Sequence, residues 1–244
     1  MQKDTENWYA SWFNTPFYHI LYKDRDHNEA GLFMDNLTSF LQLSEHSEIL
    51  DLACGKGRHA QYLNNLGFDV TGVDLSPESI AFAKRFENST LHFEEHDMCL
   101  PFPKKFDAVF NLFTSFGYFD SEEDNLRTIK AISEELKPNG YGVIDFLNTE
   151  YVKKNIVPND SKIVDGIEFN IERYIEDGYI IKNIRFESKG KEYIFTERVK
   201  ALNLLDFKEY FKAAQVKLLH CFGDYELNQF DKDISDRLIL IFSL

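Results

Sequence analysis

The chain has 244 residues, 43% hydrophobic and 28% charged, enough for one α/β core with a modest insertion and too few for two large domains. The 27 Lys and Arg stand against 41 Asp and Glu, a net charge of −14 that falls mostly within residues 1–150, and such a surface repels polyanions and argues against a nucleic-acid partner. Three widely spaced cysteines (Cys54, Cys99, Cys221) make neither a disulfide framework nor a zinc set, no stretch reaches the roughly 18 apolar residues of a membrane span, and the start lacks the apolar core of a signal peptide, so a cytoplasmic protein without a metal site is expected.

The first 40 residues are dense in aromatics (Trp8, Tyr9, Trp12, Phe13, Phe17, Tyr18, Tyr22), and a helix is expected from about residue 28 to 41. Residues 49–53 form a short apolar run that breaks into Cys54-Gly55-Lys56-Gly57, after which Arg58 to Leu66 reads as a helix ended by Gly67. A second strand, Phe68 to Val73, ends in Asp74; Ser76-Pro77-Glu78 then starts a helix, with Ser as cap and Pro in the first turn. Further strands are expected at 91–95 and 106–113. A helix at 122–136 is stopped by Lys137-Pro138-Asn139-Gly140, and a fifth strand follows at 141–148. This alternation predicts a parallel sheet covered on both faces. The rhythm changes over 161–200, where Asp165-Gly166, Asp177-Gly178 and Lys189-Gly190 are hairpin signals that predict an antiparallel meander. A helix at 205–214 and two strands, 217–222 and 237–244, close the chain; with no helix between them, those strands should pair antiparallel. The expected organisation is therefore an N-terminal aromatic and helical cap (1–44), a main domain (45–150 and 201–244) and an antiparallel β insertion (151–200) serving as substrate lid or dimer face.

The chemistry begins at Asp51-Leu-Ala-Cys-Gly55-Lys-Gly57-Arg-His-Ala60, a strand running into a glycine turn and a helix, which is where doubly wound sheets hold their ligands. Gly55 and Gly57 let the backbone approach a ligand, but the same spacing also satisfies a dinucleotide fingerprint. Asp51 bears on the choice: four residues ahead of the first glycine, its charge would repel a pyrophosphate and attract an ammonium group. Asp74, ending the second strand, suits the two hydroxyls of a ribose under either reading. Asp97, after the third strand, offers with its neighbouring backbone an acceptor and a donor for an adenine edge.

Taken in order, these motifs resemble those of the class I S-adenosylmethionine-dependent methyltransferases. Ile49–Gly57 is similar to their first motif, Val70–Pro77 to the second and His96-Asp97-Met98 to the third; Phe106–Asn111 and Leu136–Gly140 resemble the fourth strand and the turn before the fifth. The resemblance implies a Rossmann-like, seven-stranded, mostly parallel sheet with helices on both faces. It further implies S-adenosylmethionine as cofactor, held by Asp51, Ala53, Gly55, Gly57, Asp74, Leu75, Asp97, Met98 and Asn111. Ala53 stands where the family often has a glycine. The segment Phe17–Asp26 is similar to the cap of a bacterial small-molecule subgroup, which implies Tyr22 over the cofactor and Arg25 at its carboxylate. Tyr18, His19, Phe116 and Tyr118 are expected near the acceptor.

Methyl transfer from a sulfonium is an in-line displacement for which alignment and desolvation can suffice, so no catalytic residue is assigned; His19, Tyr18, His96, His59 and Tyr118 are the candidates if a proton must leave. The fourth-strand exit has no proline pair of the sort that base-amine methylases carry, which with the acidic surface argues against base methylation and leaves an RNA ribose or a protein target open; the expected acceptor is a small molecule with a nitrogen or oxygen nucleophile. The competing expectations are a nicotinamide oxidoreductase on the same sheet and a non-catalytic cofactor-binding or scaffold protein. A homodimer is compatible with the sequence.

Overall fold

A computed structural model describes residues 12–23, 27–119 and 121–244. The chain divides into two compact units, the smaller drawn from Met1–Arg25 and Val152–Ala201, the larger from Asp26–Tyr151 and Leu202–Leu244.

The larger unit is built on a seven-stranded sheet in the order β10-β11-β5-β4-β1-β2-β3. Its strands are β1 (Glu48–Leu52), β2 (Asp69–Asp74), β3 (Leu91–Glu95), β4 (Phe106–Asn111), β5 (Leu136–Leu147), β10 (Lys217–Phe222) and β11 (Arg237–Ser243). The first five pair in parallel, and β11 runs antiparallel to both β5 and β10. Its helices are α2 (His27–Phe40), α3 (Arg58–Asn65), α4 (Pro77–Ala83), α5 (Glu122–Glu135) and α7 (Leu204–Ala213). Local chemistry sets their starts. Ser76 Oγ accepts from the Ser79 amide at 3.1 Å to cap α4 with Pro77 behind it, and Asn203 and Asp206 form a reciprocal capping box on α7. The apolar face of α2 (Phe33, Met34, Leu37), with Leu41 just after it, shares one buried cluster with Ile49 of β1, Val70 of β2 and Phe110 of β4. The strand order reverses between β1 and β4, so the crevice expected of such sheets opens at the carboxyl ends of these strands.

The smaller unit holds α1 (Pro16–Leu21) and four antiparallel strands: β6 (Asn159–Val164), β7 (Ile167–Glu176), β8 (Tyr179–Ser188) and β9 (Lys191–Lys200). The three hairpin signals are its three turns, each with two successive positive-φ residues, as in Asp177 (49°) and Gly178 (80°). Trp12, Leu21, Phe169, Ile171, Ile184 and Phe186 form its core. Trp12 stacks on Phe195 at 4.5 Å and donates its indole N–H to Glu197 at 2.8 Å.

Three elements differ from expectation. The strand β5 starts directly at Leu136, because Lys137–Gly140 are absorbed as a bulge against β4 instead of forming a free turn: Asn139 takes φ 65°, and a Cβ on Gly140 would meet the carbonyls of Phe106 and Asp107 at 3.0 and 3.1 Å. Two short helices, α1 and α6 (Thr149–Asn155), escape periodicity reading at 6 and 7 residues.

Candidate functional site

The Ala53–Gly57 turn is left-handed at three of its five residues, with φ 64° at Ala53, 55° at Gly55 and 78° at Gly57. For Ala53 that conformation costs roughly 1–2 kcal/mol, which a glycine would avoid. The Cys54 amide continues the ladder to the Val73 carbonyl at 2.9 Å, and the Gly57 amide closes the turn on Cys54 at 3.0 Å. A Cβ on Gly57 or Gly72 would stand 2.5 or 2.7 Å from the Phe93 ring, so that ring is wedged beneath the turn. A Cβ on Gly55 would meet nothing within 4 Å, which leaves room above it for a ligand.

Asp74 ties the turn down. Its two carboxylate oxygens accept from the Gly55 and Ser76 amides, each at 2.8 Å, while each retains a lone pair for a ligand. Burial pushes its pKa up, against those two bonds. Asp97 Oδ1 accepts from the Cys99 amide at 2.9 Å. Met98 next to it is half-buried, whereas Leu75 is 51% exposed.

Two polar atoms are orphaned inside this edge. Asp51 is 2% exposed, and its Oδ2 has no hydrogen-bond partner among the described residues. Asn111, fully buried at the end of β4, donates Nδ2 to the Leu52 carbonyl at 3.0 Å, and its Oδ1 is likewise unpartnered among the described residues. A buried acceptor without a donor is expensive, so both atoms fit a ligand that brings N–H or positive charge. Burial raises the Asp51 pKa to about 7; Asp74 adds to the rise, and the Ala60 amide and Arg58 oppose it.

This value has a consequence for stability. With an ordinary pKa of 3.8 unfolded and about 7 folded, the folded state holds a proton that the unfolded state has released. Asp51 therefore contributes stability that is complete below about pH 4 and is lost as pH rises to 7, on the order of 2 kcal/mol between pH 5.5 and 7.5. Urea unfolding of the wild type and Asp51→Asn at those two pH values checks it; the same pH response in both would contradict it.

The β4 exit carries a feature that sequence reasoning missed. Phe113 and Thr114 are both left-handed, at φ 56° and 60°, though neither is Gly or Asn. They are held by Asp145, a fully buried residue of β5: its Oδ2 accepts from the Phe113 amide at 2.8 Å and its carbonyl from the Thr114 amide at 2.9 Å. Arg237 of β11 donates to Asp145 Oδ1 through Nε at 2.8 Å and Nη2 at 2.7 Å, and to Thr114 Oγ1 at 3.0 Å. Tyr225 Oη donates to Asp145 Oδ2 at 3.3 Å, and the Tyr225 ring stacks on Phe33 at 4.5 Å. The Phe113 ring lies parallel to His59, 4.4 Å away at 2°, and Arg58 Nη2 donates to His59 Nε2 at 2.9 Å. An aspartate inside the apolar run Val143–Phe146 was the one visible sign of this network.

The other expected residues fall as follows. Phe116 is fully buried and packs on Phe207 of α7 at 5.4 Å, so its ring is a core group; Tyr118 is half-buried. Tyr18, His19 and Tyr22 belong to the smaller unit. There Tyr22 donates to Glu197 at 2.6 Å and accepts from Lys182, and Tyr18 packs on Tyr22 at 4.9 Å. Arg25, like Trp8 and Tyr9, lies outside the described residues. His96 Nε2 sits 2.7 Å from the Leu100 carbonyl. Among the described residues there is no group of three or more potential metal ligands and no helix long and apolar enough to cross a membrane.

Residues 49–140 match the sequence pattern of the methyltransferase-domain family. The chain is 37% identical over 140 residues to the putative methyltransferase YqeM of Bacillus subtilis (strain 168), covering 55% of this chain and 56% of that one. It is 30% identical over 135 residues to the dTDP-3-amino-3,4,6-trideoxy-alpha-D-glucopyranose N,N-dimethyltransferase of Streptomyces venezuelae, covering 52% and 56%. It thus spans about half the length of the curated relatives it matches. In fold it resembles the crystal structure of an S-adenosylmethionine-dependent methyltransferase from Clostridium acetobutylicum ATCC 824, with TM-score 0.79, 22% identity and coverage of 93% and 96%.

Proposed function

We propose, from the match of residues 49–140 to the methyltransferase-domain family, that this chain is an S-adenosylmethionine-dependent methyltransferase and that it methylates a nitrogen of a small-molecule acceptor. The observation that carries the reading is the buried, unpartnered Asp51 Oδ2 at the head of a glycine turn. A carboxylate there opposes a diphosphate and suits a cofactor whose amino-acid tail ends in an ammonium group. The relative from Streptomyces venezuelae is an amino-sugar N,N-dimethyltransferase, which supports an amine acceptor.

S-adenosylmethionine supplies a methyl group already activated by the positive sulfonium. The residues then have these roles: Asp51 accepts from the ammonium group, Asp74 from the ribose hydroxyls through its remaining lone pairs, and Asp97 from the adenine amine between Leu75 and Met98. Ala53, Gly55 and Gly57 shape the turn, and Asn111 Oδ1 gives a further acceptor at the β4 end. The acceptor side is assigned to the Phe113 and His59 rings and to Tyr118. An amine that arrives neutral needs no base in the displacement, because its proton leaves to water afterwards; alignment and exclusion of water then supply the rate.

Titration calorimetry tests the cofactor assignment. Asp74→Ala is expected to weaken S-adenosylmethionine binding by about 2 kcal/mol, roughly 30-fold, through the loss of a buried acceptor. An unchanged affinity, or a melting temperature raised by NADH and not by S-adenosylmethionine, overturns the reading. Sarcosine and a dTDP-linked 3-amino sugar are the first acceptor probes, read by S-adenosylhomocysteine release.

A further inference from the structure

We propose that Asp145 and Arg237 are positioning residues for methyl transfer: their ion pair holds the left-handed exit of β4 so that the Phe113 ring keeps His59 stacked beside the glycine turn. This rests on the function proposed above and adds two residues remote in sequence from every cofactor motif.

An apolar pair of similar volume usually does as well as a buried ion pair, or better, for stability, so the polar atoms of the ion pair need another explanation. Here they are directed at one short piece of backbone. Asp145 takes the Phe113 amide on Oδ2 at 2.8 Å and the Thr114 amide on its carbonyl at 2.9 Å, and Arg237 reaches past the carboxylate to Thr114 Oγ1 at 3.0 Å. The two residues so gripped are consecutive, carry side chains, and both have φ near 60°, a conformation that persists only where its surroundings over-determine it. Tyr225 closes the grip: its hydroxyl donates to the same carboxylate, its ring stacks on Phe33, and its carbonyl accepts from Asn36 Nδ2 at 2.9 Å.

The output of the grip is the direction of the Phe113 ring. That ring is parallel to His59 at 4.4 Å, and the Arg58 guanidinium lies 5.5 Å from its centre. Arg58 and His59 are the first two residues of α3, directly after Gly57. A continuous set of contacts therefore runs from β11 through β5 and the β4 exit to the turn assigned to the cofactor.

Arg237→Lys tests the proposal, since it keeps the charge opposite Asp145 and loses the planar fork that reaches both Asp145 and Thr114. The first readout is the His59 Cε1–H resonance by two-dimensional NMR, with S-adenosylhomocysteine present. It is expected to leave the Phe113 ring current in Arg237→Lys while the dissociation constant of S-adenosylhomocysteine changes by less than about threefold. Turnover of an amine probe that the wild type accepts is expected to fall roughly ten- to a hundredfold. Thr114→Gly added to Arg237→Lys is expected to restore the resonance and most of the turnover, because glycine adopts positive φ without support. A His59 resonance unmoved by Arg237→Lys, or one moved and not restored by Thr114→Gly, overturns the proposal. Failure of the methyltransferase reading would appear separately, as wild-type protein that does not bind S-adenosylmethionine.

Discussion

Asp145→Ala is expected to lower the stability of the protein by about 3–5 kcal/mol, the loss typical when one partner of a buried ion pair is removed. At this chain length that corresponds to a melting temperature lower by roughly 10 °C. The loss has two sources. The Arg237 side chain, 16% exposed, loses the carboxylate it is paired with, and the Phe113 amide loses its acceptor at 2.8 Å. The first source is separable. In Asp145→Ala combined with Arg237→Leu no charge is left buried, and more than half of the stability should return even though the β4 exit is no longer gripped. Chemical denaturation of the single and double variants checks this. A single-variant loss below about 1 kcal/mol would mean that Arg237 turns outward to water and that the pair is not a fixed part of the core.

The second large effect is expected at Gly57. Alanine there must hold φ 78°, at roughly 1–2 kcal/mol, and must place a methyl group 2.5 Å from two carbons of the Phe93 ring, an overpacking worth about 1–3 kcal/mol more. A total near 3 kcal/mol follows. Gly55→Ala separates stability from binding. It shares the left-handed strain, with φ 55°, but its methyl group meets nothing within 4 Å. It should cost only about 1 kcal/mol of stability while weakening S-adenosylmethionine binding roughly tenfold or more, because the methyl group enters the space assigned to the ligand. Urea melts and calorimetry on the two variants give the comparison. Equal stability losses would show that Phe93 yields to the added group.

The contrast between these sites follows what was legible in the sequence. The glycine turn, Asp74 and the three hairpins were readable because each depends on a few consecutive residues: Gly55 and Gly57 on local φ, Ser76 and Pro77 on one helix turn, Asp177-Gly178 on a two-residue loop. The parallel pairing of the first five strands followed from alternation, and the antiparallel closing pair from the absence of a helix between β10 and β11. The Asp145–Arg237 pair depends on sheet register instead. Asp145 lies opposite Ile239 in the β5–β11 ladder, so Arg237 is its diagonal neighbour on the same face, across 92 positions of chain. The strain at Phe113 and Thr114 was invisible for a related reason. No glycine or asparagine marks the site, since the conformation is imposed from another strand. Phe116 shows the converse error: an aromatic residue just past a strand end suggested a ligand wall, but α7 covers it with Phe207.

The wedge formed by Phe93 beneath the turn makes positions 57, 72 and 93 share a single fixed volume, with the two missing methyl groups and the ring drawing on it together. Chains descended from a common ancestor with this one should therefore exchange these three residues in concert, a larger group at 57 or 72 accompanying a smaller one at 93. Any such correlated change would be a signature of steric compensation beneath the turn.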